Sequence, residues 1–215
     1  MRDDKTQLAG LTRYRFGDRW QFAIECELRD CELDPWGSKE PFGSFWMWVG
    51  GRVVGNTHVE EQLVHAFLPL AQSVRRAGNR ADGRFKGMTN LDKLNLVGWI
   101  RFGEDKEFDG ARWGAPDRDE LRREDLTRYE VVPRGYSPYS DGWEAILVEQ
   151  DEMETFIWRR QGDVAEVHEF ALPRGLFTQV ATRAVKWFER TRLKRLGSDK
   201  AVTDEKVRLA KPGAA

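Results

Sequence analysis

Sulfur and imidazole are scarce in this chain: two cysteines and three histidines in 215 residues. Cys26 and Cys31 stand without a second cysteine pair or an H-x3–5-H, which argues against a disulfide scaffold and a zinc site. They read as reduced thiols of a cytosolic protein. Charge of one sign is also missing. Thirty-five basic against 36 acidic residues leave a net charge of −1, so nothing pulls the whole molecule toward nucleic acid or an anionic membrane. No apolar run approaches the roughly 18 residues of a membrane helix. The opening "MRDDKTQLAGLTRYRFGD" lacks an apolar h-region, so no secretory leader is expected and the chain reads as cytoplasmic. Catalytic signatures are absent too. There is no G-x-S-x-G elbow, no Walker A loop and no H-E-x-x-H, and the glycines of "GGRVVG" have the wrong spacing for a dinucleotide fingerprint. His58, His65 and His168 read as structural or solvated residues.

What is present is a well-patterned globular chain, with 40% hydrophobic and 33% charged residues, enough for one domain with a full core. Residues 1–13 are polar and read as loose. "RWQFAIECEL" alternates, with Trp20, Phe22, Ile24, Cys26 and Leu28 on one face and Glu25 with Glu27 on the other, as in a half-buried strand. In "EPFGSFWMWVGGRVVG", Phe42, Trp46 and Trp48 share a face with Ser44, and Phe45, Met47 and Val49 share the other. Two apolar faces predict a central strand covered on both sides, closed by a Gly50-Gly51 hairpin. A Trp46/Trp48 pair turned toward a ligand is the competing reading. Thr57 and Glu60 spell a T-x-x-E capping box, and Val59, Leu63, Phe67, Leu70 and Val74 mark one face of the helix it would start, with a kink at Pro69 and a stop at Gly78. A second helix is expected from Asn90 to Gly103.

Residues 103–141 are charged and rich in Gly and Pro. They read as a variable, loop-rich insert with a short helix at 118–127 and a strand at Tyr129–Val132; such a segment is often functional. Beyond it "WEAILVEQ", "ETFIWRR" and "VAEVHEFAL" predict a three-strand meander. A closing helix presents Phe177, Val180, Ala181, Ala184 and Phe188 on one face. Residues 196–215 have little to bury and read as a disordered tail. The pattern is that of an α+β domain over 14–195, an antiparallel sheet of about six strands carrying two or three helices.

Charge is unevenly placed along the last third. From Glu144 to Glu169 there are eight acids against two bases, and from Arg174 to Lys211 eleven bases against four acids. Two ordinary solvated faces would account for this. So would a surface with opposite poles, suited to oriented docking on a charged protein. Trp36, Trp113, Tyr136 and Tyr139 fall in polar loops, and Tyr and Trp are enriched at binding hot spots.

The blocks "FGDRWQFAIECEL", "FGSFWMWVGGRVVGNTHVEEQL", "RRAGNR", "DGWEAILVEQ" with "IWRR", and "HEFALPRGLF" resemble, in order and spacing, the bacterial immunity protein 42 family. The resemblance covers roughly residues 16–190, with 103–140 poorly matched. It implies a protein that binds and neutralises a cognate bacterial toxin by direct contact, without catalysis. Together with the balanced charge this leaves no nucleic-acid or membrane partner and no cofactor expected, and the chain is read as a monomer or homodimer. On that basis the candidate contact residues are the loop tryptophans Trp36 and Trp113 and the acidic hairpin residues Glu149, Asp151, Glu152 and Glu154. A carbohydrate- or ligand-binding module using exposed tryptophans, and a small hydrolase with an acidic site, are the alternatives the residues leave open.

Overall fold

A computed structural model describes residues 3–81, 83–102, 128–132, 141–160 and 166–197. The strands divide between two antiparallel sheets instead of the single sheet expected. The first is ordered β1 (Asp4–Leu8), β2 (Leu11–Asp18), β3 (Phe22–Arg29), β4 (Phe42–Val49) and β5 (Arg52–Val54), with the short β6 (Glu61–Gln62) also pairing with β4. The second is ordered β10 (His168–Pro173), β9 (Met153–Arg160), β8 (Trp143–Gln150) and β7 (Glu130–Val132). The expected C-terminal meander is therefore present and gains β7 at its edge. Three α-helices, α1 (Val64–Arg75), α2 (Asn90–Phe102) and α3 (Leu176–Leu196), and a single 3-10 turn at Gly83–Phe85 complete the described part.

The main core lies between the two sheets and under α1 and α3. Ile24, Cys26, Phe45 and Met47 from the first sheet meet Leu147, Phe156 and Trp158 from the second, with Phe67 of α1 and Phe188 of α3. Phe67 and Phe188 stack with centroids 4.5 Å apart, and Phe45 meets Phe67 edge-on at 5.2 Å. Cys26 is part of this packing, and burial pushes its thiol well above the usual range; it behaves as a small hydrophobe. On the other side of the second sheet, Ile146, Val148 and Ile157 pack with Leu94, Val97 and Tyr129 in a smaller cluster.

Four expectations need correction. The segment read as loose contains β1, whose five residues are all exposed but pair in register with β2 from Asp4↔Arg15 to Leu8↔Leu11; a polar sequence forms a strand here because its backbone has an edge to bond. Trp20 does not continue the alternation of β3. It sits in the β2–β3 turn and is 77% exposed. Helix α1 starts at Val64, not Thr57, with Leu63 as N-cap and no side-chain cap. Pro69 lies inside this shorter helix, as expected, in its second turn, where it gives up the bond its N–H would make to the His65 carbonyl. The later start frees Glu61–Gln62 to pair with Phe42–Gly43. Finally, β4 is apolar on both faces, but only one face joins an apolar layer.

Candidate protein-binding surface

The acidic hairpin does not present its four carboxylates together. Glu149 and Glu154 are register partners across β8 and β9, and they are only 3% and 1% exposed. Glu149 accepts from the Gly78 backbone N–H at 2.9 Å and from Arg80 Nη1 at 3.2 Å. Arg80 is wholly buried and also donates to Ser73 Oγ at 2.9 Å and to the Arg128 carbonyl at 3.0 Å. Burial lowers the Arg80 pKa even though Glu149 opposes the shift. Glu154 accepts from the backbone N–H groups of Gly175 at 2.8 Å and Phe177 at 3.2 Å. It thus caps the start of α3, whose own N-cap is Gly175 with no side-chain oxygen to offer. Burial nevertheless raises the Glu154 pKa, with those two hydrogen bonds acting against it. Both carboxylates are buried and bonded within the fold.

Asp151 and Glu152 differ. They form the exposed β8–β9 turn, beside an exposed Met153. Asp151 takes a positive φ of 52°, the left-handed conformation a tight hairpin turn requires. Arg174 braces the turn, its Nη1 donating to the Asp151 carbonyl and its backbone N–H to the Glu152 carbonyl, both at 3.0 Å. The turn is an exposed acidic point, braced by Arg174, at the N-terminal end of α3.

Trp36 lies elsewhere. It is 70% exposed in the β3–β4 loop and meets Phe42 edge-on at 5.6 Å. The loop is organised by Asp34, which accepts from the backbone N–H groups of Trp36 and Ser38 and from Gln62 Nε2 at 2.6–2.9 Å. Burial pushes the Asp34 carboxyl upward, but those three donors outweigh it and hold its pKa below the ordinary value. Glu40 at the end of this loop forms a two-pronged pair with Arg192, in the last turns of α3, at 2.6–2.8 Å. Trp36 and the acidic turn thus sit near opposite ends of a helix about 30 Å long. Trp113, Tyr136, Tyr139 and the 118–127 helix lie outside the described residues.

Sequence reasoning missed the outer face of the first sheet, the face turned away from α1 and α3. Register places Arg13 beside Glu27 and Ser44, and Arg15 beside Glu25 and Trp46. Arg13 sits over the Trp46 ring at 5.8 Å, and Arg19 over the Trp48 ring at 4.6 Å. Arg19 bonds both oxygens of the fully buried Glu25 at 2.5 and 2.8 Å, which raises its own pKa. The second cover of β4 is therefore a layer of guanidinium groups stapled from below by carboxylates. The signal was present as the spacing of Arg13 and Arg15 opposite Glu25 and Glu27. At one end, an open recess of about 630 Å³ is lined by residues including Arg15, Arg19, Trp20, Trp48 and Gly51.

The sequence profile described as Immunity protein 42 matches residues 14–187, four fifths of the chain. The chain belongs to the immunity protein 42 family. Its function is accordingly that of an immunity protein, the neutralisation of a toxin. The match begins at β2 and ends within α3, so it takes in the core of both sheets. The crystal structure of CdiI from Burkholderia dolosa AUO158 has a similar fold, with a TM-score of 0.55 at 18% identity, covering 80% of this chain and 99% of that one. No curated protein matches the sequence. Among the described residues, no helix of this immunity protein is long and apolar enough to cross a membrane, and no cluster of three metal-ligating side chains occurs.

Proposed function

We propose that this immunity protein neutralises its toxin in the cytoplasm by direct contact and without catalysis, and that the β8–β9 turn is part of the contact. The observation that carries the site is the braced, exposed pair Asp151 and Glu152 beside Met153. A preformed acidic point with an apolar neighbour suits a basic cleft, steering the encounter and losing little order on binding. Glu149 and Glu154 support the turn from inside.

The test is co-expression with the product of the open reading frame immediately upstream. Rescue of growth and a co-purifying complex are expected. In that complex, Asp151→Lys with Glu152→Lys is expected to slow association about tenfold at low salt and to flatten its salt dependence. Unchanged association kinetics would remove the turn from the interface. A harmless neighbour that forms no complex would count against direct neutralisation of that product.

A further inference from the structure

We infer that the free edge of β1 and the basic groove beside it form a docking site for an extended, acidic segment of a protein partner, taken up as a further strand of the first sheet. The site is built from other residues than the acidic β8–β9 turn, and its chemistry holds whichever protein supplies the segment.

β1 is the terminal strand of its sheet, paired with β2 and with no other strand among the described residues. In an antiparallel pair every second residue turns its N–H and C=O away from the partner strand. β1 therefore carries a row of such donors and acceptors along its free side. Its five side chains are all exposed, so nothing among the described residues packs over that edge. Its pairing with β2 runs without a bulge, and its sequence, DKTQL, has no proline. An unbroken edge of this kind accepts an added strand.

The charge of the incoming strand follows from what flanks the edge. Between β1 and α3 lies a recess of about 410 Å³. Its aromatic lining is Trp187, with Tyr14 and Phe16 at centroid distances of 4.4 and 5.6 Å. Four cations line it, Lys5 from β1 and Arg183, Lys186 and Arg190 from α3, against two acids, Asp3 and Asp4. Asp3 pairs with Arg183 at 3.5 Å, and Asp4 pairs with Arg15 on the outer face of the sheet. Lys5, Lys186 and Arg190 are exposed and form no ion pair among the described residues. The single acid of α3, Glu189, stands about 100° round the helix from Arg190 and is half-buried beside Arg75 of α1 as well as Lys186. Unlike the paired arginines of the outer face, these three cations are left to attract carboxylates of a partner. The same charge disfavours a second copy of this chain. Antiparallel pairing of two β1 strands would put both α3 helices on one face of a continuous sheet, their basic sides turned toward each other with both Lys5 ammoniums between them. Nucleic acid fits less well, because a phosphate backbone cannot pair with alternating N–H and C=O groups, and three free cations hold few phosphates.

The experiment titrates the full chain with a labelled peptide of about eight residues alternating glutamate and valine, a length and pattern that suit a strand. A lysine–valine peptide of the same length and labelled oligothymidylate are the comparisons, all followed by fluorescence anisotropy. Saturable binding of the glutamate peptide is expected, about tenfold tighter than either comparison. Lys186→Gln with Arg190→Gln should weaken it about tenfold, and Asp151→Lys with Glu152→Lys should leave it unchanged. Hydrogen exchange of the complex is expected to show added protection at residues 4–8. Both replaced α3 side chains are exposed, and thermal unfolding checks that the variant folds. No saturable binding, equal affinity in the glutamine variant, no added protection in β1, or equal binding of oligothymidylate would each overturn the proposal. A dimer of the chain that the peptide dissociates would give the edge to a second copy and overturn it as well. Growth rescue by the full chain alongside any of those results would leave the immunity function standing.

Discussion

At the scale of single residues, the clearest lesson is how much charge lies inside the molecule. Arg80 and Glu149 form an ion pair at 3.2 Å with both side chains essentially buried. Removing one member strands the other in a medium that solvates it poorly. Arg80→Ala is therefore expected to cost about 3–5 kcal/mol in urea unfolding, while Arg80→Met with Glu149→Leu should recover most of that loss. Asp34 gives a pH-dependent counterpart. Its folded pKa is lowered by the donors of its loop, so the stability it contributes is present above the unfolded carboxyl value and lost as pH falls through the folded one. The hydrogen-exchange protection of residues 34–38, taken relative to the intrinsic rate at each pH, is expected to fall in acid, and Asp34→Asn should remove that dependence while lowering protection at neutral pH. None of this burial is announced in the sequence. Glu149, Glu154 and Asp151 stand within a few residues of one another and look alike until the strand register assigns two to the interior and one to the turn.

At the scale of elements, the caps decide where helices begin. The T-x-x-E at Thr57–Glu60 matches the capping pattern but caps nothing, because Glu60 bonds Arg29 and the helix starts four residues later. The real box is Thr89 with Asp92 at the start of α2, where Asp92 Oδ2 accepts from Thr89 and Thr89 Oγ1 accepts from the Asp92 N–H at 3.1 Å. Thr89→Ala is expected to cost about 1 kcal/mol and Thr57→Ala less than about 0.5 kcal/mol by denaturant unfolding. The helical face of α3 was fully legible: Phe177, Val180, Ala181, Ala184 and Phe188 are all buried. The alternation of β3 was legible from Phe22 onward. It failed at Trp20, where a turn bonded to a second hairpin takes over from the strand.

At the scale of the whole molecule, α3 works as a spar. Its start is capped by Glu154 from the second sheet, and Arg192 near its end grips Glu40 from the β3–β4 loop. This geometry places the acidic turn and the Trp36 loop about one helix length apart. A standard interface of about 800 Å² per partner is roughly 30 Å across. It would include both only at its rim. A complex built on the acidic turn is therefore expected to tolerate Trp36→Ala with less than a threefold change in affinity, read by titration of that variant against the toxin.

The residues alone determined the α+β class, the strands of the C-terminal third, the glycine hairpin and the family, because period-two and helical patterning are local and the shared blocks are contiguous. The tertiary structure alone decided which charges are buried, which tryptophan is exposed and what covers the second face of β4. Those outcomes depend on cross-strand register and on contacts between residues far apart in the chain: Arg80 with Glu149, Arg192 with Glu40, and Arg19 with Trp48. No local pattern encodes such pairings.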